Sequence, residues 1–252
     1  MLHRFSRTEI LIGTQGLQRL ADSSVTVFGL GGVGSHVAEA LCRAGVGRLT
    51  LVDFDTVCVS NINRQLIALE GTVAQPKATI MAERLRQINP AAEIVPVQES
   101  YGPDTSRALL AGRHDYVVDA IDTMTAKVHL IAACRERSIP VISSMGAAFK
   151  RDPSLIRVGD ISATRSCPMA RAMRKLLRRQ GITTGVTVVY STEEFREPAE
   201  RLPSCRRGCD CPDSGDPAFP CPHRRLVLGS ISFIPPIFGF TMAGVVVNDL
   251  LA

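Results

Sequence analysis

From residue 25 to residue 148, short and almost wholly apolar runs alternate with stretches of helical spacing. The apolar runs are residues 25–28, 48–52, 116–120 and 140–144, with "LTLVD" and "YVVDA" as examples, and residues 93–98 add a further strand. A strand with one wet face alternates apolar and polar positions. A strand without that alternation is covered on both faces, the condition of parallel strands in an α/β sheet. Residues 33–44, 77–87 and 126–137 carry the helical period, and residues 1–24 read as short helices leading into the first strand. Strand–helix alternation of this kind predicts a doubly wound, mainly parallel sheet with its ligand outside the carboxyl ends of the strands.

The pattern changes after residue 148. "LIRVGDISAT" and "VTVVYST" predict strands that extend the sheet, with the helix "MARAMRKLLRR" between them. A Pro- and Cys-rich loop follows, "REPAERLPSCRRGCDCPDSGDPAFPCPHRR", and loops of such length in a domain are usually functional or disordered. Residues 226–252 are strongly apolar. Pro235 and Pro236 interrupt that stretch and Asn248 and Asp249 lie near its end, so a buried C-terminal core helix is expected rather than a membrane span. There is no internal repeat. The chain reads as one domain with a nucleotide-binding half, 25–148, and a substrate-side half, 149–252.

Composition narrows the class. The chain has 252 residues, 45% hydrophobic and 5% aromatic with no Trp, which is a soluble globular composition and excludes a disordered or fibrous one. The start, "MLHRFSRTEI", lacks the apolar run of a signal peptide, so a cytoplasmic protein is expected. Eight cysteines in such a chain predict thiols or metal ligands rather than disulfides. Cys42, Cys58, Cys134 and Cys167 are scattered and read as small buried apolar side chains. The net charge of +5 suits an anionic partner.

The candidate chemistry begins at "VTVFGLGGVGSHVAEAL". Gly29, Gly31, Gly32 and Gly34 form a G-x-G-x-x-G turn between a predicted strand and a predicted helix, in a Rossmann-like setting. Glycines there let backbone N–H groups reach a phosphate, and the helix N-terminus favours its charge. Asp53 closes the second strand, where an acid holds ribose hydroxyls. NAD and ATP both satisfy these features. The segments "DFDTVCVSNINRQ", "GTVAQPKA" and "VVDAIDT" separate them by adding Asn61, Arg64, Gln65, Lys77 and Asp122 just after the carboxyl ends of strands. Hydride transfer has no need of Arg and Lys around its pyrophosphate. Cleavage of an α–β phosphate bond does, because charge grows on the phosphoryl oxygens and the leaving pyrophosphate. Asp122 is placed to hold magnesium through its waters.

Together, "GLGGVGS", "LVDFDTVCVSNINRQ", "QPKA" and "VVDAIDT" resemble the ThiF family, itself similar to ubiquitin-activating enzymes. The resemblance spans nearly the whole chain and implies adenylation of a carboxylate with ATP and magnesium by a homodimer. It implies that Asp53, Asn61, Arg64, Lys77 and Asp122 contact ATP or its metal. It also implies an arginine supplied by the partner subunit, for which "HRFSRTEILIG" offers Arg7, with Arg4 as the fallback. Further stretches, "ERLRQINP", "ISSMGAAFKRDPSLIRVGDIS" and "VVYSTEE", resemble the tRNA-modifying branch. Its members close the threonylcarbamoyl side chain of a tRNA adenosine into a ring. A sulfur-transfer or cysteine desulfurase partner is left open.

Two features bear on the branch. Arg171, Arg174, Lys175 and Arg178 recur at helical spacing opposite Met173, Leu176 and Leu177, a basic stripe suited to an RNA backbone or to plain solvation. Relatives that activate ubiquitin-like or sulfur-carrier proteins typically carry two C-x-x-C pairs, and this chain has none. That activity is the rival reading, and an NAD-sensing module without chemistry is a third, opposed by Arg64 and Lys77. Cys205, Cys209, Cys211 and Cys221, with His223, offer ligands for a zinc ion, at irregular spacing. Cys167-Pro168 replaces the Asp-Pro usual in the family, which puts helix capping there in question.

Overall fold

Among the described residues, seven strands form one sheet: β1 (Ser24–Phe28), β2 (Arg48–Val52), β3 (Glu93–Val97), β4 (Tyr116–Asp119), β5 (Val141–Ser144), β6 (Ile156–Asp160) and β7 (Thr187–Ser191). Their order is β3-β2-β1-β4-β5-β7-β6. All pair in parallel except β6, the antiparallel edge strand beside β7. The computed structural model describes residues 2–194 and 228–252.

The double burial foreseen for the central strands is present. Val25, Val27, Leu49, Leu51 and Val118 point into one apolar cluster, and Phe28, Val52 and Val117 into another on the opposite face. The first cluster is closed by α2 (Gly34–Ala44), α3 (Lys77–Ile88) and α7 (Ile234–Leu251), and the second by α4 (Pro103–Leu109) and α5 (Met124–Glu136). A third cluster packs α6 (Pro168–Arg178) through Met173 and Leu177 onto Val188 and Tyr190 of β7.

The N-terminal helix α1 (Ser6–Ala21) is broken at Gly13, whose φ of 74° no helix continues through. The expectation of short helices there is met by two pieces of one element. α4 was not foreseen. Its sequence, "PDTSRAL", has no apolar period, and it is started by Pro103 in its first turn.

Two expectations need correction. Pro235 and Pro236 do not interrupt α7. They lie in its first turn, where their missing N–H groups have no helical partner to lose. The helix is buried on one face only, through Ile234, Phe238, Met242, Ala243 and Val246, while Phe240 is 54% exposed. Gly239 sets its distance from α2, since a Cβ there would lie 2.6 Å from the Val33 carbonyl oxygen. Among the isolated cysteines Cys42, Cys134 and Cys167 are buried as expected, but Cys58 is only half-buried, because it sits in the loop after β2 rather than on a core element. Burial pushes the thiol of Cys42 up to about 11 and that of Cys134 up to about 12.

Candidate functional site

The strand order turns at β1, which has β2 on one side and β4 on the other. A crevice opens outside the carboxyl ends of strands at such a switch point, and ligands of open α/β sheets bind there. The glycine turn lies at that place, and its glycines have different duties. Gly29 has φ of 86°, and a Cβ on it would stand 2.8 Å from the carbonyl oxygen of Ala120, just past β4. A Cβ on Gly34 would stand 1.7 Å from the Gly29 carbonyl oxygen. These two glycines therefore let the strand, the helix and the neighbouring turn close up. Gly31 is different: the nearest atom to a Cβ there would be Gln65 Nε2 at 3.7 Å. No protein packing demands glycine at that position, which leaves an open approach to the backbone of the kind a phosphate uses.

Asp53 leaves the end of β2 and reaches this turn. Its Oδ2 accepts the Leu30 N–H at 2.6 Å and its Oδ1 the Asp55 N–H at 2.8 Å. The carboxyl is 8% exposed; burial raises its pKa above the ordinary carboxylate value, and the nearby Lys77 charge pulls the other way. Lys77 begins α3 and is 4% exposed, with Nζ 2.9 Å from Asp55 Oδ2. A bridge between Thr56 and Pro76 draws those two segments together. An ammonium that is nearly dry acts on charge at its side far more strongly than a solvated one.

The segment between β2 and α3 supplies the rest. Asn61 is buried, and its Oδ1 accepts the Cys58 N–H at 3.1 Å, closing a single 3-10 turn. Its carbonyl oxygen accepts the N–H groups of Arg64 and Gln65. The Arg64 stem lies against the glycine turn, its Cγ 3.2 Å from where a Gly32 Cβ would be, while its guanidinium donates to the Ser60 carbonyl and to Asn63 Oδ1, both at 2.9 Å. Gln65 is 7% exposed, and its Oε1 is buried with no hydrogen-bond partner among the described residues. An orphaned acceptor beside an open glycine fits a ligand that brings its own N–H or hydroxyl donor. Asp122 lies just past the end of β4 and is exposed, accepting from Thr123 Oγ1 at 3.4 Å.

Gly31, Asp53, Asn61, Arg64, Gln65 and Lys77 are thus brought around one turn, with Asp122 on the adjacent strand end. The site also holds residues that the pattern did not reveal: Asp119, Lys127 and Ser143. Asp119 and Lys127 form an ion pair with no solvent exposure, at 2.9 Å, and Ser143 Oγ donates to Asp119 Oδ2 at 2.6 Å. The available signal was a lone lysine inside the apolar run "KVHLIAAC" of α5.

The other candidates lie apart. Arg7 is exposed on α1, whereas Arg4 donates to the Ile88 carbonyl of its own chain at 2.8 Å. On α6, Arg171, Lys175 and Arg178 are exposed opposite buried Met173 and Leu177, and Leu176 is half-buried. Arg174 is half-buried and donates to the carbonyl and hydroxyl of Thr164, so it staples the helix to the preceding turn. The Cys167 thiol does cap α6, with Sγ accepting the Ala170 N–H at 3.5 Å. Cys205, Cys209, Cys211, Cys221 and His223 lie outside the described residues; among the described residues there is no cluster of three or more His, Cys, Asp or Glu side chains able to hold a metal.

Comparison with known proteins follows the same lines. The ThiF family profile matches residues 5–251. A tRNA threonylcarbamoyladenosine dehydratase of Bacillus subtilis is 43% identical over 254 residues, covering 100% of this chain and 96% of the relative. The enzyme of that name from Escherichia coli is 36% identical, covering 99% and 94%. The crystal structure of E. coli tRNA N6-threonylcarbamoyladenosine dehydratase in complex with ATP matches with a TM-score of 0.83 at 35% identity, over 98% of this chain and 93% of that one. A match of this extent, on a sheet whose switch point gathers these side chains, settles the descent: the chain belongs to the ThiF family.

Proposed function

We propose that this protein dehydrates threonylcarbamoyladenosine in tRNA with ATP. The threonyl carboxylate attacks the α-phosphorus, pyrophosphate leaves, and an acyl-adenylate results. A nucleophile within the threonylcarbamoyl side chain then attacks the activated carbonyl carbon. AMP departs with one carboxylate oxygen, and the ring closes with net loss of water. The second step is intramolecular, so proximity supplies much of its acceleration and no enzyme nucleophile is required.

The observation that carries this reading is the nearly dry Lys77 beside Asp53, Asp55 and an open glycine turn at the switch point. In this reading Gly31 and Gly32 meet the phosphates, Asp53 the ribose, and Gln65 a donor of the nucleotide. Asn61, Arg64 and Lys77 stabilise the charge that develops on the transferring group. Asp122 would hold magnesium, whose charge would offset that of the phosphates. A zinc ion, were Cys205, Cys209, Cys211 and Cys221 to hold one, would have no part in the chemistry.

The fit extends to the partners. Arg171, Lys175 and Arg178 form the RNA-facing stripe. The enzyme works as a homodimer in the cytoplasm. α1 and α7 pack together through Gly16 and Leu251; Phe240 is 54% exposed on α7, and Ile10 and Leu11 are more than four-fifths exposed on α1, apolar side chains available to a second copy. Arg7 stands on that same helix and serves the partner's site, whereas Arg4 is engaged at home.

Incubation with ATP and threonylcarbamoyl-tRNA, followed by digestion and mass spectrometry, tests the reaction. The modified nucleoside should become lighter by one water, with AMP and pyrophosphate formed in equal amounts. An unchanged nucleoside, with adenylate formed and pyrophosphate released only when a small carrier protein is supplied, would overturn the proposal in favour of carrier activation.

A further inference from the structure

Beneath the turn that carries Asp122 sits a pair of charges fully withdrawn from solvent. Asp119 ends β4, Lys127 lies on α5, and both are 0% exposed. Stability alone is a poor reason to keep such a pair. Removing two ions from water costs about what their attraction returns, and well-packed apolar residues often hold the same space equally well.

What the charges add is geometry. The Lys127 ammonium is directed at three acceptors in one short turn: Asp119 Oδ2 at 2.9 Å, the Asp119 carbonyl at 3.5 Å and the Ile121 carbonyl at 3.1 Å. The Asp119 carboxylate in turn accepts the Ile121 N–H at 3.2 Å and the Ser143 hydroxyl at 2.6 Å. From the other side the Ala120 carbonyl abuts the glycine turn, so closely that a Cβ on Gly29 would lie 2.8 Å away. Residues 119–121 are therefore clamped between the lysine and the nucleotide turn, and Asp122 is the next residue.

We infer that Lys127, with Asp119, is a positioning residue that fixes the 119–121 turn and thereby presents Asp122 to magnesium–ATP. The inference rests on the reading of Asp122 as the magnesium residue. Lys127 touches neither nucleotide nor substrate, so its loss acts on the metal-dependent part of nucleotide binding.

Calorimetric titration of ATP, with and without magnesium, tests this on the wild type, Lys127→Met, Lys127→Arg, Asp122→Asn and the neutral double variant Asp119→Asn/Lys127→Met. Magnesium-free ATP affinity should be the same in the wild type, Lys127→Arg and the neutral double variant, whose net charge at this place is unchanged. Half-saturation by magnesium should weaken about 10–100-fold in Lys127→Met, the usual loss when the support of a metal-binding residue is removed. Lys127→Arg should recover most of it. The double variant leaves no unpaired buried charge, so it provides the same reading should the single variant not fold. Wild-type magnesium dependence in a folded Lys127→Met or double variant, with Asp122→Asn impaired, would overturn the inference and assign the pair to packing alone. Unaltered dependence in Asp122→Asn as well would remove the magnesium reading, and this inference with it.

Discussion

Lys77 concentrates the account at the scale of single residues. It is 4% exposed and 2.9 Å from Asp55, so its charge is spent on its surroundings rather than on water. Lys77→Ala should cut adenylate formation by about 100-fold or more, equivalent to ~3 kcal/mol, while ATP binding remains measurable. Single-turnover release of pyrophosphate reads this directly, and a wild-type rate would remove Lys77 from the chemistry. The thiols give a second residue-scale prediction. Burial closes Cys42 and Cys134 to reagents and lowers their thiolate fraction further, with values raised to about 11 and about 12. In the native protein at neutral pH they should resist alkylation while half-buried Cys58 is labelled, and peptide mapping by mass spectrometry distinguishes the three. The gathering of Asp53, Arg64 and Lys77 near the glycine turn was legible at this scale, because the chain from the end of β2 to the start of α3 carries all three, and Asp122 stands just past β4. The Asp119–Lys127 pair was not. A buried ion pair between a strand end and a helix leaves no period, only two charges in apolar runs. The separate duties of Gly29 and Gly31 were equally hidden, since they depend on which backbone passes close by.

At the scale of elements, the cations of the basic helix α6 fall into two groups. Arg171, Lys175 and Arg178 are exposed, whereas Arg174 is tied to Thr164. Reversal of Arg171, Lys175 and Arg178 to Glu should weaken tRNA binding and flatten its salt dependence, each lost phosphate contact lowering the log–log slope by about one. ATP affinity should not change. Arg174→Ala should instead lower the melting temperature with little effect on that slope. Identical slopes for the triple variant and the wild type would return the stripe to a solvated face. The amphipathic pattern identified this helix and its buried side, but four cations at helical spacing look alike until the neighbouring turn shows which one is engaged. α7 teaches the same lesson. Apolar content marked it as a core helix, yet only Gly239 and its neighbours on one face meet α2, and composition does not distinguish the buried face from the exposed one.

For the whole molecule, the mainly parallel sheet was readable from unalternating strands, whereas the strand order, the switch point at β1 and the antiparallel pairing of the edge strand β6 depended on the tertiary fold. The proposed supply of Arg7 by a partner subunit belongs to this scale. Mixed dimers of Arg7→Ala and Asp122→Ala chains should regain activity at one of their two sites, because one interface unites an intact Arg7 with an intact Asp122. Each homodimeric variant should be nearly inactive. Equal inactivity of verified mixed dimers would argue that no arginine crosses the interface. The central claim is adenylation of a carboxylate on tRNA, and ATP–pyrophosphate exchange tests it most directly. Exchange should depend on tRNA bearing the threonylcarbamoyl group, and unmodified tRNA or small carrier proteins should not support it. Exchange driven by a carrier protein's C-terminus, with none from the modified tRNA, would contradict the account.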